Sequence, residues 1–351
     1  MTKSTMNYQG KKVYVGIDVH KRTYAVTVRL DGEVAKRDTM QASPSGLITY
    51  LNRYFKGASI FRVYEAGFSG FVLHRALIEA GIHNIVVNPA SIEVAANDRV
   101  KTDRRDSNKM AEQLAAGRLR AVFIPAPEQE ISRQLTRTRE QIVKNRTRIA
   151  IQIKSKLHYF GLIVATSPNK VLSNRTLKEI EAMKLDEGLI VSIKYLIDQW
   201  RFLTIQLADI RKRLKNAAAK DSALEQVYRS VPGIGPVGAR ILSNELGDLS
   251  KRFNNERELF KFTGLTPTEH SSGSSVRRGH ISRQGSSRIR HVLVEAAWFA
   301  VNKDPSLKEA FERIAVRRGK KRAIIAIARK LIGRIRACFR VGVLYELGVC
   351  I

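Results

Sequence analysis

The chain has 351 residues, 44% of them hydrophobic, which is enough for two or three domains with buried cores and too apolar for a disordered tail protein. Its 62 Lys and Arg against 32 Asp and Glu leave a formal charge of +30, more than solubility needs and self-repelling unless a polyanion is present, so nucleic acid is the expected partner. No run of about 18 apolar residues appears, and the opening MTKSTMNYQGKK lacks the apolar core of a signal peptide, so the reading is cytosolic (cytoplasm and nucleoid) with no membrane partner.

From Lys12 to about Arg120 the chain alternates strand-like and helix-like segments: VYVGIDVH, TYAVTVRL, a DG turn, EVAKRDTMQ, then an amphipathic LITYLNRYF. The strand SIFRVYEAG follows, then a helix FVLHRALIEAG closed by a glycine cap, a short buried strand NIVVNP, and a basic segment leading into DSNKMAEQLAAGRL. Three adjacent strands followed by strand-helix alternation suit an α/β domain with a mixed sheet of the ribonuclease H type, over residues 10–125.

Composition changes after Pro125 and Pro127. Leu135, Ile142, Ile149, Ile153 and Leu157 recur at spacings of four or seven, and Leu189, Ile193, Leu196, Trp200, Leu203, Leu207, Ile210 and Leu214 alternate steps of four and three. Both read as long amphipathic helices, a helical hairpin or coiled coil over 126–220 that serves either as a spacer or as a subunit-pairing surface. Between Ile131 and Phe160 there are eight Lys or Arg against one acid, so the first helix could also face nucleic acid.

The last part, 221–351, reads as a second globular domain, mainly helical. VPGIGPVGARILSNELGD at 231–248 has the form of a helix-hairpin-helix, in which Gly233 and Gly235 would let backbone N–H groups approach a phosphate; the bland alternative is a tight turn packed in the core. The segment Thr266 to Ser287, rich in Ser, Gly and Arg, breaks the helical pattern. Arg313 to Arg340 holds eleven Lys or Arg, a dense basic surface whose apolar AIIAIA and LIGRI segments also belong to a core. Cys338 and Cys350 fit no metal pattern and are expected to be reduced and structural.

Four carboxylates stand out. Asp18 sits in the apolar strand VGIDVH, where a charge is costly to bury without a partner, and Glu65 ends the apolar strand RVYEAG. Asp103 and Asp106 are three apart and share one helix face. Taken singly, each could be a turn or salt-bridge residue. Together they could hold Mg²⁺ or Mn²⁺, and two such ions about 3.5–4 Å apart can serve phosphoryl transfer.

GIDVHK at 16–21, YEAG at 64–67 and KTDRRDS at 101–107, in that order, resemble the N-terminal domain of the insertion sequence 110 (IS110) family of transposases, which includes the Piv-type invertases. The resemblance extends over nearly the whole chain. It implies a RuvC-like fold whose Asp-Glu-Asp-Asp metal tetrad falls on Asp18, Glu65, Asp103 and Asp106. GLTPTEHSSGSSVRRGHISRQGSSRIRHVLVEAAW at 264–298 is similar to that family's C-terminal domain, in which a serine attacks the DNA phosphate. Counting back from RRGHIS, the matching serine is Ser272, with Ser271 the close alternative because the serine is doubled and SGSS stands where relatives read SGG. Arg277, Arg278, Arg283 and Arg288 are the expected nucleic-acid contacts of this segment, whereas His270 and His280 read as surface loop residues.

Since a serine hydroxyl needs a base or metal to become nucleophilic, the expectation is a composite site in which the tetrad activates Ser272 and Arg277 and Arg278 neutralise charge. A homo-oligomer, dimer or tetramer, is expected, and the resemblance further implies a structured noncoding guide RNA pairing with target and donor DNA, which would account for the lack of an obvious base-reading module. The alternatives are a Holliday-junction-type nuclease that uses water, and a non-catalytic nucleic-acid-binding protein. A sugar-kinase-like fold also begins on a Gly-Ile-Asp strand, but a second phosphate-binding glycine loop is not seen.

Overall fold

The computed structural model describes residues 8–94, 102–162, 172–218, 222–269, 271–272 and 275–348; His270, Gly273 and Cys350, which figure in the sequence reading, lie outside them. The chain divides into two compact units, Met1–Ile124 and Pro125–Ile351. Among the described residues no helix is long and apolar enough to cross a membrane.

In the first unit the β-branched runs of the sequence form strands β1 (Lys12–Val19), β2 (Thr23–Leu30) and β3 (Glu33–Gln41), followed by helix α1 (Pro44–Tyr54), strand β4 (Ser59–Glu65), helix α2 (Val72–Glu79), strand β5 (Asn84–Val87) and helix α3 (Asp103–Ala115). The five-stranded sheet has the order β3-β2-β1-β4-β5. β1, β2 and β3 pair antiparallel, while β4 and β5 run parallel to β1. This is the mixed sheet that the strand-helix alternation predicts.

Both faces of the central strand are covered, so its apolar run is nearly continuous. Val13, Val15 and Ile17 pack with Val26 and Val28 against Leu47 and Leu51 of α1 and Leu73 and Leu77 of α2. The opposite face carries Val63 and Val87 against Met110 of α3. Gly16 and Asp18 alternate with the first set and so lie on the α3 side. A Cβ on Gly16 would stand 1.9 Å from the Ser107 carbonyl oxygen and 2.7 Å from the Ala111 nitrogen, so α3 crosses β1 in direct backbone contact, which only glycine permits. From β2, Thr27 Oγ1 hydrogen-bonds Ser107 Oγ at 2.8 Å and Arg29 donates to Asn108 at 3.0 Å, fixing the helix along its axis.

The second unit begins with the two long helices read from the periodicity, α4 (Pro127–Tyr159) and α6 (Glu187–Ala218), with α5 (Asn174–Glu181) between them. Their shared core holds Ala150, Ile153, Leu157, Leu177, Ile193, Ile197 and Trp200. The root of α4 is bound to a set of helices that follows: α7 (Ser222–Arg229), α8 (Pro236–Leu246), α9 (Leu249–Arg252) and α10 (Glu256–Thr263). Arg133 donates to the Asn244 carbonyl at 2.7 Å, and Arg137 makes a two-pronged contact with Glu245 at 3.0 and 3.1 Å.

A short hairpin, β6 (Pro267–Glu269) and β7 (Arg278–Ile281), precedes α11 (Ser287–Lys303), α12 (Pro305–Arg318) and α13 (Lys320–Val341). The Ser/Gly/Arg segment thus holds two strands that its sequence does not announce, because runs of three and four residues, none of them buried, carry no apolar alternation. One core of α8, α11 and α13 residues, among them Leu242, Leu293, Ala296, Ile327 and Leu331, organises this region. Cys338 is buried there as a free thiol.

Candidate functional site

Asp18 lies near the carboxyl end of β1 and Glu65 ends β4. The parallel register pairs Gly16 with Val63 and Ile17 with Tyr64, so Asp18 and Glu65 come next, at one level on neighbouring strand ends and on the α3 side of the sheet. Asp103 and Asp106 occupy the first turn of α3, capped by Thr102, whose side chain accepts from the Arg105 N–H; two acids there also suit the positive end of the helix dipole. Asp18 is the most covered of these three aspartates, its side chain 13% exposed against 25% for Asp106 and 61% for Asp103.

His20 closes the arrangement. Its backbone N–H bonds the Thr23 carbonyl at 2.9 Å where β1 turns into β2. Its ring nitrogen Nε2 lies 3.3 Å from Asp18 Oδ2 and 3.1 Å from Asp103 Oδ2. That nitrogen is shielded from solvent and is in hydrogen-bonding geometry with neither oxygen. A nitrogen and two carboxylate oxygens that converge without satisfying one another form a donor set fit for a divalent cation. Among the described residues, Glu65 and Asp106 stand outside this tight group of three. Asp106 is 3.9 Å from Lys109 Nζ, and Glu65 has interactions of its own.

In the second unit the segment around Ser272 is held by its own polar groups. Ser271 Oγ donates to Glu269 Oε1 at 2.9 Å and accepts from the Arg277 N–H at 3.3 Å. Arg278 pairs with Glu269 Oε2 at 3.2 Å, and these two hydrogen bonds draw the Glu269 carboxyl below its ordinary pKa. Ser272 exchanges backbone hydrogen bonds with Ser275 at 3.2 and 3.1 Å, and both residues are exposed. Arg290 pins the stem of the segment by donating to the carbonyls of Thr263 and Gly285, both at 3.1 Å.

Comparison with known proteins matches residues 15–160 to a DEDD transposase model of the IS110 type and residues 225–312 to the transposase IS116/IS110/IS902 family. The chain belongs to the IS110 family of transposases. A Sinorhizobium fredii (strain NBRC 101917 / NGR234) protein named as a transposase, y4qE, is 29% identical over 82% of this chain and 72% of its own length. The transposase for insertion sequence element IS1111A of Coxiella burnetii is 26% identical over 73% and 71%. The transposase for insertion sequence element IS1533 of Leptospira borgpetersenii is 25% identical over 94% and 96%.

Other sequence-predicted residues of this IS110-family transposase have structural occupations. Gly233 (φ +84°) packs under α11, where a Cβ would meet Phe299 Cβ at 2.6 Å and the Ala296 backbone at 3.0 Å, so helix packing already accounts for it. Gly235 is the N-cap of α8, without a side-chain cap and with open space beside it. Arg288 is ion-paired with Glu140 of α4. Arg283 is exposed in a left-handed conformation (φ +55°) rare for a side chain. Sequence reasoning missed His20 and Glu269. Both stood inside quoted motifs, and His20, two residues past Asp18 at a strand end, could have been read as sharing its edge.

Proposed function

We propose that this transposase cleaves and rejoins DNA through a covalent phosphoserine intermediate, with Asp18, Glu65, Asp103 and Asp106 holding Mg²⁺ or Mn²⁺. The observation that supports the metal role is the convergence of Asp18, Asp103 and the unsatisfied His20 nitrogen at the carboxyl ends of the strands. When bound, a divalent ion there supplies Lewis-acid stabilisation of phosphate charge and lowers the cost of deprotonating a hydroxyl. Ser272 Oγ forms a bond to phosphorus and gives up its proton as the bond from phosphorus to the 3′ oxygen breaks. That oxygen takes a proton and leaves as a free 3′-OH, with the 5′ phosphate on the serine. Attack of a 3′-OH on the serine ester reverses the step and rejoins strands with no external energy source. Arg277 and Arg278 neutralise charge on the phosphate.

Specificity in this reading comes from a structured noncoding RNA that pairs with target and donor DNA, and the chain acts as a homo-oligomer. The +30 charge supports a polyanionic partner of this size.

A second reading of the nucleophile is favoured by one contact: Ser271, not Ser272, has its hydroxyl held by Glu269 and the Arg277 N–H. Incubation with DNA and Mn²⁺ followed by a denaturing gel separates the two. Ser272→Ala is expected to abolish the protein–DNA adduct while Ser271→Ala retains it, and the reverse pattern assigns Ser271. Cleavage without adduct in the wild type would replace the serine mechanism by a water nucleophile. Nucleic acid recovered with the purified protein is expected to include one discrete RNA; random RNA would count against guidance.

A further inference from the structure

An open cleft of about 640 Å³ in the second unit is lined by Val276, Arg277, Arg278, Gly279, Arg318 and Arg322. Four guanidinium groups therefore face one space, two from the segment that follows the serines and two from the junction of α12 and α13. Of the four, Arg278 is ion-paired, to Glu269, and among the described residues no acid pairs with the others. Like charges gathered this way repel one another, and a lone carboxylate offsets one of four.

The helix beside them sharpens the point. α13 spans 22 residues, its N-cap Gly319 provides no side-chain cap, and its first turn is Lys320, Lys321 and Arg322 with no acid. Cations at the positive end of a helix are unfavourable, because the N-terminal N–H groups already carry partial positive charge. Two other helices of the same unit do otherwise: α10 carries Glu256 and Glu258 in its first turn, and α12 is capped by Asp304. The described residues thus leave most of the positive charge of the cleft without a counter-charge.

We propose that this cleft is a phosphodiester-binding subsite, holding a backbone phosphate of nucleic acid between Arg277 and Arg278 on one side and Arg318 and Arg322 on the other. Guanidinium forks match the oxygens of a phosphate two at a time, and the open mouth suits a polymer that enters and leaves rather than an enclosed small ligand. The subsite reads charge, not sequence. It fixes the path of a strand past Ser272, five residues before Arg277.

The test uses the full-length chain in a metal chelator, so that binding is measured apart from any chemistry and a failure here is distinct from a failure of the phosphoserine reading. Fluorescence anisotropy follows binding of a labelled DNA duplex in one arm and a labelled RNA hairpin in the other, from about 50 to about 200 mM salt. Arg318→Gln with Arg322→Gln, both exposed, should lower the slope of log affinity against log salt by about 1, the value for one lost phosphate contact, for the polymer that uses the cleft, with roughly tenfold weaker binding at low salt. The arm in which the slope falls identifies DNA or RNA as the source of the phosphate. An equal charge loss on the first unit, Arg53→Gln with Lys56→Gln, should leave the slope nearly unchanged. A wild-type slope in both arms for the cleft variant, or an equal fall in the control, would overturn the proposal.

Discussion

Gly16 and Ser107 meet backbone to backbone, close enough that a Cβ on the glycine would lie 1.9 Å from the serine carbonyl oxygen. Two residues beyond Gly16 on the same face stands Asp18, and one turn before Ser107 stands Asp103. The contact therefore sets how near the first-turn aspartates of α3 come to the end of β1. Gly16→Ala should cost about 3 kcal/mol, because the obstruction is backbone rather than a movable side chain. It should also lose divalent-metal affinity. Thr27→Val, which removes the hydrogen bond to Ser107 without a clash, should cost only about 1 kcal/mol. Thermal unfolding and metal titration check both; an unshifted melt for the glycine variant would show that α3 is not held by this contact.

His20 presents a nitrogen to two carboxylates, and nitrogen donors favour Mn²⁺ over Mg²⁺ more than oxygen donors do. His20→Ala should weaken Mn²⁺ by about tenfold, or 1.4 kcal/mol, and Mg²⁺ by clearly less. Calorimetric titration with each ion separates the effects. Equal losses for both ions, or none, would remove His20 from the donor set.

The first unit was legible because its signals are local and redundant. Strand alternation, the DG turn and the glycine after α2 each fix an element, and Asp18 and Glu65 declare themselves by ending apolar strands. His20 was not, since its role arises only when α3 folds back from more than eighty residues away. The long helices showed in their periodicity, with Ile193, Trp200, Leu207, Ile210 and Leu214 all buried as their spacing requires. The bond from Arg137 to Glu245 did not, because neither residue's spacing encodes a partner 108 residues distant. Short strands such as β6 and β7 owe their pairing to the stem that Arg290 clamps rather than to their own pattern.

That Arg137–Glu245 contact ties α4 to α8, with the Glu245 side chain only 8% exposed and Arg133 beside it at 4.0 Å. Glu245→Ala leaves two buried or half-buried guanidinium groups without their carboxylate and should cost about 3 kcal/mol. Hydrogen exchange should accelerate first in the opening turns of α4. Unchanged protection there would mean that the carbonyl of Asn244, which also receives Arg133, is sufficient to hold the root.

Asp304 offers a test by pH. Its carboxylate is fully buried and accepts hydrogen bonds from the Ser306 N–H, the Ser306 hydroxyl and the Leu307 N–H at 2.9 to 3.1 Å, from Arg334 at 2.9 Å, and from the Tyr345 hydroxyl. Burial pushes the acid up, but the bonds from Tyr345, Ser306 and Leu307, with the Arg334 charge, outweigh it and hold the pKa below the ordinary 3.8. A depressed folded pKa means that the ionised form carries the stabilisation, which is present above 3.8 and lost as pH falls through the folded value. Asp304→Asn should therefore destabilise by about 3 kcal/mol near neutrality, since Arg334 loses its counter-charge. The gap between wild type and variant should stay flat from pH 7 to about 5 and close as the medium is acidified below 3.8. Denaturant unfolding at a series of pH values measures the gap directly. A gap that persists undiminished well below the ordinary carboxyl range would show that geometry, not charge, is what Asp304 contributes to the junction of α11, α12 and α13.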